Sequence, residues 1–546
     1  MSKRWCVLNP RFAGSRRPSV ESVVDLLLEN RKVQDREDFF NPPDPAHLVT
    51  QLASYFPDLN LNQLAKAVKR VKKAIKEREK ITIWGDYDVD GISATALLWQ
   101  ALYGLGANVL PYIPDRFGEG YGLNVSAIKK LSEEGTRLII TVDSGITARE
   151  AVHFANSVGV EVIITDHHVK PKVLPPALAT VHTTRLCGTG VAWLLASQLV
   201  RGSQRLMAGL DLVAIATVAD LQPLLGANRS LAAHGFRVLN QAKRPGLVAL
   251  AEVSRLKFGS LGSYAAGWVL GPRINAVGRM KHGIEALRLL CTPNLTKARE
   301  LAHLLDSANT ERKALTLDMF DHAKKLVGGK AGLIVVYHDS WHEGVIGLVA
   351  GKLVEEFGRP SVVIARGDGF SKGSARSING LNIVEILRNY DGLLEDVGGH
   401  EAAAGFTIRN ENLEQFVAKL REETEETVAR LDPRPVLKID AELPLEGLSY
   451  DLVYALESLQ PYGIGNPEPL FVAKGVTVLS ERTVGRSKQH LKLNLAPGLE
   501  AIWFGGGDKG GFGRSDTISI VYTPQIERWG GKERIVLRIR DLRALR

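Results

Sequence analysis

The sequence contains few cysteines, no long apolar run and no phosphate-binding loop. The three cysteines, Cys6, Cys187 and Cys291, are odd in number and widely spaced. We therefore expect neither a disulfide framework nor a thiolate metal site, and we expect a reducing, cytoplasmic location. No stretch of about 18 apolar residues occurs, and no apolar signal core precedes Pro10, so no membrane association is expected. The Gly-Lys-Ser/Thr loop of nucleotide triphosphatases is also absent.

The chain has a moderate excess of positive charge. Its 69 basic and 60 acidic residues give a net charge of +9 and a pI near 9.2, which permits a polyanionic partner and modestly favours nucleic acid. Hydrophobic residues make up 45%, which is ordinary for a globular protein. Because 546 residues are too many for one compact core, three or four domains are expected.

The order of apolar and polar segments predicts an α/β protein of five parts. Apolar runs at 81–84, 108–113, 138–142 and 160–164 alternate with helical segments, which favours a parallel sheet. Helices are predicted at 20–29, 61–80 and 295–326, and the period-two alternation at 490–495 and 518–522 predicts a small C-terminal β-barrel or sandwich. The predicted parts are a helical lead-in at 1–75, an α/β domain at 76–225, a helical connector at 226–328, a second α/β domain at 329–432 and a β domain at 433–546.

Carboxylates and histidines follow four apolar runs, each of which we predict to be a strand. They are Asp86, Asp88 and Asp90 after 81–84, Asp143 after 138–142, Asp166, His167 and His168 after 162–165, and Asp220 after 212–219. In open parallel sheets, ligands bind outside the carboxyl ends of the strands, so these side chains are expected to converge.

The residue types in these motifs favour a pair of Mn²⁺ or Mg²⁺ ions. Hard oxygen ligands with one or two imidazoles suit these ions, and so many carboxylates would repel one another unless cations neutralised them. Two ions about 4 Å apart activate water and stabilise the leaving oxygen of a phosphate ester. A single Asp after a strand is more often a helix cap, and the Asp triplet alone resembles an EF-hand loop without its later Glu. Because four such motifs occur in order along the chain, we favour a two-metal site over a set of helix caps or an EF-hand loop.

These motifs resemble the DHH phosphoesterases, and more specifically the bacterial RecJ exonucleases within that family. The resemblance covers nearly the whole chain, through segments at 85–91, 116–124, 141–146, 165–168, 216–224, 271–279, 341–347, 372–377, 398–405 and 461–469. It implies a parallel-sheet DHH domain, a long connecting helix, an α/β DHH-associated domain and a C-terminal OB-like β-barrel.

The resemblance also implies roles for the clustered residues. Asp143 would bridge the two ions, Asp86 and Asp166 would be ligands or would orient ligands, and His168 would contact the scissile phosphate or protonate the leaving oxygen. The implied metal ligands are Asp86, Asp88, Asp90, Asp143, His167 and Asp220, and the implied catalytic residues are Asp143, Asp166 and His168. Ser144 stands where many relatives carry Asn, and the connection at 181–190 is shorter than in many of them.

A second group of residues is predicted to bind the substrate. Ser374 and Arg376 lie two apart and would share one face of an extended segment, where a hydroxyl and a guanidinium suit a terminal phosphate. Glycines and an imidazole at 398–400 could cradle phosphate in a turn, although glycines also simply make turns. The predicted substrate-binding residues are Arg116, Arg273, Arg279, Ser374, Arg376, Gly398, Gly399 and His400.

The C-terminal β domain carries aromatics that could stack bases and cations that could contact phosphates. About half of the aromatics are expected to fill the core instead. The candidates are Tyr462, Phe471, His490, Lys492, Trp503, Phe504, Arg528, Trp529, Arg538 and Arg540.

The expected function is a 5′-to-3′ exonuclease that hydrolyses single-stranded DNA to 5′-mononucleotides in repair and recombination. The alternatives are a phosphodiesterase of short oligonucleotides or cyclic dinucleotides, whose known relatives generally lack the long helix and the β domain, and a non-catalytic DNA-binding scaffold, which would have lost metal carboxylates. The resemblance further implies a monomer whose partners are single-stranded DNA, a single-strand-binding protein and a helicase.

Overall fold

The structure is a computed structural model that describes residues 3–12, 17–200, 202, 207–328, 332–432 and 434–544. The described residues form two compact units. The larger unit is drawn from residues 6–278, 282–306 and 438–546, and the smaller unit from residues 1–5, 279–281 and 307–437. No helix in the described part of the chain combines the length and the apolar character that crossing a bilayer requires.

The first part of the N-terminal segment packs into the core of the C-terminal strands. It contains β1 Arg4–Val7, α1 Val20–Asn30, α2 Arg36–Phe40, α3 Pro45–Thr50, α4 Leu52–Tyr55 and α5 Leu61–Lys76. Helix α1 begins after Ser19, whose hydroxyl accepts a hydrogen bond from the Ser22 amide. Its Val23, Leu26 and Leu27 are fully buried in one apolar core with the C-terminal strands. Helix α1 therefore completes the C-terminal domain.

A parallel sheet with strand order β3-β2-β4-β5-β6 forms the centre of the larger unit. Its strands are β2 Lys80–Trp84, β3 Val109–Tyr112, β4 Thr136–Val142, β5 Glu161–Asp166 and β6 Ala179–His182, and its helices are α6 Val89–Tyr103, α7 Val125–Glu133, α8 Arg149–Ser157 and α9 Gly188–Leu199. Helices cover both faces, so the central strands are almost continuously buried. The four predicted strands are confirmed, whereas β6 was not predicted.

The prediction of a strand at 212–219 is wrong, because this segment is helix α10, Leu210–Ala219. Every residue from Leu210 to Thr217 is buried. A short segment that is apolar all round shows neither the helical nor the strand period, so a buried helix and a buried strand look alike in sequence. Its alanines favour the helix. Asp220 thus follows a helix C-terminus and not a strand end.

The larger unit continues as a set of helices that leads into one long helix. The helices are α11 Gly226–Leu239, α12 Pro245–Val253, a π-helix Ala265–Leu270, α13 Gly271–Met280, α14 Ile284–Cys291 and α15 Leu295–Leu326. Helix α15 has 32 residues and confirms the helix predicted at 295–326. Its residues 295–306 belong to the larger unit and its residues 307–326 to the smaller one.

The smaller unit contains a mixed sheet with strand order β10-β11-β9-β8-β7. Only β7 and β8 run parallel to each other. Apolar clusters cover both of its faces, as in other α/β domains. The elements are β7 Ile334–His338, α16 Ile346–Phe357, β8 Ser361–Arg366, β9 Phe370–Arg376, α17 Ile383–Arg388, β10 Leu394–His400, β11 Ala403–Arg409 and α18 Asn410–Ala429.

The C-terminal strands close into a five-stranded barrel, as predicted. The order β14-β15-β16-β18-β17 is closed by pairing of β17 with β14, which removes the sheet edges. The elements are β12 Val436–Ile439, β13 Ala441–Glu442, a 3₁₀-helix Leu445–Gly447, α19 Tyr450–Glu457, β14 Phe471–Val484, β15 His490–Leu495, β16 Leu499–Trp503, a 3₁₀-helix Gly507–Lys509, β17 Thr517–Trp529 and β18 Lys532–Ala544.

Candidate active site

Polar side chains from three strand ends and one helix end meet at the carboxyl edge of the parallel sheet. The His167 Nε2 atom lies 3.1 Å from Asp143 Oδ1, 3.8 Å from Asp220 Oδ2 and 3.9 Å from Asp90 Oδ2. Donor atoms lie within 4.8 Å of one another in each of three groups, namely Asp143 with His167 and His168, Asp90 with His167 and Asp220, and Asp86 with Asp88 and Asp143.

The loop after β2 is shaped by two close backbone approaches. A Cβ on Gly85 would lie 2.0 Å from Thr95 Oγ1, and one on Gly91 would lie 2.5 Å from Asp86 Cβ, so both positions require glycine. Asp88 is the N-cap of α6 and accepts hydrogen bonds of 2.9 Å from two amides of the first helical turn. The glycines therefore let the loop fold back and present Asp86 and Asp88 together.

Asp90 is held by the first turn of α9. Its Oδ2 accepts a 2.6 Å hydrogen bond from the Gly188 amide, and its Oδ1 accepts from the Thr189 amide at 2.7 Å and the Thr189 hydroxyl at 2.6 Å. A negative group is stabilised at a helix N-terminus. Sequence reasoning missed Gly188 and Thr189, although Gly-Thr-Gly at the start of an apolar segment signals a close backbone approach.

Asp143 is the most constrained carboxylate of the cluster. Its φ of 58° lies in the left-handed region, which is unusual for a residue other than glycine and occurs at functional sites. A Cβ on Gly188 would lie 2.5 Å from the Asp143 Cβ atom, so the helix start packs directly on this side chain. The buried Oδ1 accepts no hydrogen bond of good geometry within the described ranges, and its near neighbour is the His167 Nε2 atom at 3.1 Å. A buried carboxylate oxygen of this kind is suited to coordinate a cation.

Asp166 holds the imidazole of His168. Asp166 is buried and accepts hydrogen bonds from the Ile146 amide at 2.9 Å, the His168 amide at 3.1 Å and His168 Nδ1 at 2.7 Å. Burial opposes ionisation, but these donors outweigh it and lower the pKa of Asp166. Burial lowers the pKa of His168, whereas the hydrogen bond and charge of Asp166 outweigh it and raise that pKa to about 8. Because the His168 side chain is 47% exposed, its ring can reach a substrate.

The carboxylates strongly destabilise one another's ionised forms. Burial and then the Asp90 and Asp88 charges raise the pKa of Asp143 well above its usual value. Burial and then the Asp88 charge do the same to Asp86. The pKa of Asp220 rises to about 8 through burial and then the Asp90 charge. Divalent cations would relieve this repulsion, and the donor set of carboxylates and one imidazole fits Mn²⁺ or Mg²⁺.

Three further side chains support the cluster and were not predicted. The Tyr121 hydroxyl donates a 3.2 Å hydrogen bond to the Asp143 carbonyl, and Gln222 Nε2 donates to Asp220 Oδ2 at 2.9 Å. Asn275 Oδ1 accepts a 2.6 Å hydrogen bond from the Val89 amide at the start of α6. No pattern marks such residues in a single sequence, because each acts through a contact that only the fold creates.

The smaller unit contains a cationic pocket at the N-terminus of α16. Arg376 Nη1 donates to Ser374 Oγ at 3.1 Å and to the Ala375 carbonyl at 2.8 Å, so the two side chains share one face of β9. A Cβ on Gly347 would lie 2.9 Å from both Arg376 Nη2 and Ser374 Oγ. Burial lowers the pKa of Arg376, and no charge of a described carboxylate counteracts that effect. A half-buried guanidinium beside a helix N-terminus is suited to an anion.

The other predicted arginines have varied surroundings. The Arg116 guanidinium lies 4.8 Å from the Tyr87 ring centre, and its charge lowers the pKa of Asp86 against the larger effects that raise it. Arg273 is paired with Asp306 at 2.9 Å. Arg279 donates to the Gly344 carbonyl at 3.1 Å.

Residues 398–400 form the exposed end of β10 and not a turn. Their Cα partners in β11 are residues 403–405, with Gly399 opposite Ala404. A Cβ on Gly399 would lie 2.3 Å from the Ala403 carbonyl oxygen, so glycine is required by the close pairing of the strands. Gly398, Gly399 and His400 are all exposed.

The barrel aromatics divide between the core and the surface. Phe471 is fully buried, and Tyr462 and Trp503 pack against the same core. Phe504 and Trp529 are exposed. Phe504 lies 5.1 Å from His490 between ring centres and 5.6 Å from the Arg538 guanidinium. The other predicted cations form ion pairs, namely Lys492 with Glu500, Arg528 with Glu457 and Glu533, and Arg540 with Glu468.

Comparison with known families identifies the class of protein that this sheet and cluster define. The DHH family, N-terminal domain, matches residues 80–217, and the DHHA1 domain matches residues 330–426. The RecJ OB domain matches residues 439–541. The fold is therefore that of a DHH-family protein with a DHH-associated domain and an OB-type barrel.

Comparison with individual proteins identifies the group within the DHH family to which the chain is most similar in the matches given next. It is 36% identical over 512 residues to the single-stranded-DNA-specific exonuclease RecJ of Bacillus subtilis, covering 90% of this chain but 65% of that protein, slightly under two thirds of its length. It is 34% identical over 477 residues to the protein of the same name from Haemophilus influenzae, covering 80% of this chain and 83% of that protein.

Solved structures agree with this assignment. The crystal structure of RecJ in complex with Mn²⁺ from Thermus thermophilus superposes with a TM-score of 0.81 at 30% identity, covering 99% of this chain and 79% of that chain. The Mg²⁺ complex from the same organism gives a TM-score of 0.76 at 28% identity, covering 99% and 78%. The chain belongs to the RecJ family of single-stranded-DNA-specific exonucleases.

Proposed function

We propose that the chain hydrolyses single-stranded DNA from its 5′ end, releasing 5′-mononucleotides, by a two-metal mechanism. The observation that carries this proposal is the convergence of five carboxylates and the His167 imidazole at one edge of the parallel sheet, where burial and neighbouring charges raise the pKa values of Asp86, Asp143 and Asp220. Such a site is unfavourable without cations and favourable with them. RecJ of Thermus thermophilus was solved with Mn²⁺ and with Mg²⁺, which supports those ions here.

The proposed ligands are Asp86, Asp88, Asp90, Asp143, His167 and Asp220. Asp143 and His167 each belong to two of the three donor groups. Asp143 is the one that would bridge two ions, because a carboxylate offers an oxygen to each of them. Bound divalent ions would lower the pKa of water and neutralise charge that develops on the phosphate. His168 is assigned to the scissile phosphate or the leaving oxygen, since its ring is exposed and the Asp166 carboxylate, which outweighs burial, raises its pKa. Asp166 is a positioning residue that fixes the orientation of that ring.

The terminal 5′ phosphate is assigned to the pocket of Ser374 and Arg376. A guanidinium, a hydroxyl and a helix N-terminus together favour a dianion, and the guanidinium has no competing carboxylate within the described residues. Arg116, Arg279 and the exposed segment 398–400 are proposed as further phosphate contacts. Arg273 is a weaker candidate, because Asp306 already neutralises its charge.

The two alternative functions are less well supported. A phosphodiesterase of short oligonucleotides would have little use for a barrel with exposed aromatics and cations. A non-catalytic scaffold would not need a complete set of buried carboxylates, whose burial has a high energetic cost. The proposed setting is DNA repair and recombination in the cytoplasm, as a monomer that cooperates with a single-strand-binding protein and a helicase.

The proposal is tested by Asp143→Asn, with Asp318→Asn on the exposed face of α15 as the matched control. Asp143→Asn should abolish Mn²⁺-dependent hydrolysis of a 5′-phosphorylated oligonucleotide and reduce the rise in Tm on adding Mn²⁺. Far-UV circular dichroism should stay unchanged, because the fold does not need the charge. Retention of more than a few per cent of the activity by Asp143→Asn would contradict the bridging role.

A further inference from the structure

A buried histidine with no role in the proposed chemistry lies beside the turn that carries Asp166 and His168. This residue, His182, is the last residue of β6, and the parallel register of β5 and β6 pairs it with Asp166. It is only 3% exposed and belongs to the larger unit. His182 therefore lies next to the catalytic turn but behind the surface that a substrate can reach.

The His182 imidazole holds the backbone of this turn. Its Nε2 atom lies 2.7 Å from the carbonyl oxygen of His168. A carbonyl oxygen can only accept, so Nε2 carries the proton and donates it. The Asp166 carboxylate accepts hydrogen bonds from the amides of His167 and His168 and from the His168 ring. The turn is thus held from two sides, with Asp166 bonded to its amides and one ring, and His182 bonded to its last carbonyl.

The second ring nitrogen of His182 argues against a role in packing alone. Nδ1 is buried and has no hydrogen-bond partner in the part of the chain that the structure describes. Burying an unpaired polar atom costs free energy, so an apolar side chain would fill this position more favourably if packing alone decided the residue. The bond from Nε2 to the His168 carbonyl is what the imidazole gains in return.

The segment that follows His182 is anchored to two other parts of the larger unit. Thr183 donates its hydroxyl proton to Asp58 Oδ1 at 2.6 Å. The Arg185 carbonyl accepts a 2.9 Å hydrogen bond from Asn228 Nδ2 on α11. The connection between β6 and α9 is therefore fixed directly after His182, and the imidazole is presented from a firm support.

The catalytic turn, in contrast, leads into an exposed segment. Val169 is 84% exposed, and Lys170 after it is exposed as well. Packing restrains the chain little where side chains are exposed in this way. The bond from His182 therefore restrains the peptide group of His168 at the point where packing ends.

We propose that His182 is a positioning residue, whose bond to the His168 carbonyl holds the His168 ring in the orientation that reaches the substrate. The inference rests on the proposed function, in which His168 contacts the scissile phosphate or the leaving oxygen. His182 takes no part in the chemical step, because it is buried and bonded to backbone. It acts on the rate through His168, as residues behind a reactive side chain commonly do.

The first test measures hydrolysis of a 5′-phosphorylated oligonucleotide by two variants of His182. His182→Leu removes the donor, whereas His182→Gln keeps an amide that can donate in place of Nε2. His182→Leu should lower kcat roughly 10- to 100-fold, with a much smaller change in KM, because misorientation of a catalytic group slows the chemical step. His182→Gln should restore most of that loss. An unchanged kcat in His182→Leu, or equal losses in both variants, would overturn the proposal.

The matched control is His234→Leu on α11. The His234 Nε2 atom also donates to a carbonyl oxygen, that of Pro42 at 3.3 Å, so the substitution removes the same kind of bond elsewhere in the larger unit. His234→Leu should leave kcat unchanged. A loss of kcat as large as that of His182→Leu would show that any such bond supports the rate through general stability, and the specific role of His182 would be refuted.

The second test is independent of hydrolysis and uses amide hydrogen exchange. His182→Leu should speed exchange in the segment 167–173 on the order of tenfold and leave the buried strand β4 unchanged, because only the turn loses a restraint. Unchanged exchange at 167–173, or faster exchange throughout the larger unit, would contradict the proposal.

Mn²⁺ affinity, measured by titration calorimetry, separates this role from a role in metal binding. It should stay unchanged in His182→Leu, because the bond goes to the His168 backbone and not to a proposed ligand. A fall in affinity as large as the fall in kcat would assign His182 to the metal cluster and overturn the proposal. Failure of the unmodified chain to degrade any single strand would contradict the proposed function, whereas normal kcat in His182→Leu would contradict only the role of His182.

Discussion

The pocket at Ser374 and Arg376 gives a quantitative prediction for Arg376→Ala. A charge-assisted hydrogen bond contributes about 1.5–3 kcal/mol, and about 1.4 kcal/mol corresponds to a factor of ten. The substitution should therefore lower kcat/KM for a 5′-phosphorylated strand about 10- to 150-fold. It should lower kcat/KM much less for a strand with a 5′ hydroxyl, which offers the guanidinium no dianion.

The free energy of unfolding should not fall together with kcat/KM. The Arg376 guanidinium is largely buried without a paired carboxylate, and burial lowers its pKa. Removing it eliminates an uncompensated charge, so the urea midpoint of the unliganded protein should change little.

A small substitution nearby should reproduce the binding defect of Arg376→Ala. A Cβ on Gly347 would lie 2.9 Å from the Arg376 and Ser374 side-chain ends, so Gly347→Ala should displace both groups and occupy part of the pocket.

The assay is a comparison of two proteins on two strand ends. Initial rates are measured for the unmodified chain and Arg376→Ala, each with 5′-phosphate and 5′-hydroxyl oligonucleotides of the same sequence. Arg366→Ala, on the neighbouring strand β8, is the matched control, because its side chain is exposed and lies near Asp339. Equal losses on the two ends would show that Arg376 contacts the backbone in general, and the assignment of the terminal phosphate would be refuted.

Two further predictions concern stability. Arg229→Ala should lower the free energy of unfolding, measured by urea denaturation, by about 2–6 kcal/mol, since it leaves the carbonyls of Phe39 and Gln460 without their donor. Asp220→Asn should raise the free energy of unfolding of the chelator-treated protein. The pKa of Asp220 is about 8 in the folded state and about 4 in the unfolded state, so the unmodified protein loses stability as the pH rises between these two values. The gain should be near zero at pH 4 and reach at most about 6 kcal/mol above pH 8; a gain that is largest at low pH would contradict the repulsion.

The sequence predicted those features that depend on local pattern. Four strands of the parallel sheet and the long helix α15 are confirmed, because strong apolar runs and helical spacing mark them directly. The convergence of Asp86, Asp88, Asp90, Asp143, His167 and Asp220 was expected from strand ends. Asp220 nevertheless reaches the cluster from a helix end. A fully buried helix has no polar face, so its period is invisible in sequence.

The features that were missed depend on contacts between distant segments. Asp90 is held by Gly188 and Thr189, almost a hundred positions away in the chain. Arg273 looked like a phosphate ligand, but the fold pairs it with Asp306. The π-helix that carries the exposed Trp268 has no signature that distinguishes it from an α-helix. A single sequence cannot reveal which polar side chains find partners, because tertiary packing decides it.

The most direct test of the central claim is degradation of one oligonucleotide labelled in turn at its 5′ and its 3′ end, with Mn²⁺ and with a chelator. With Mn²⁺, the 5′ label should appear at once as a mononucleotide, while the 3′ label stays on fragments that shorten progressively. The chelator should stop both reactions, because the carboxylate cluster centred on Asp143 and His167 would have no cations. Release of the 3′ label as the first product, or hydrolysis that continues in the chelator, would contradict a metal-dependent 5′-to-3′ exonuclease.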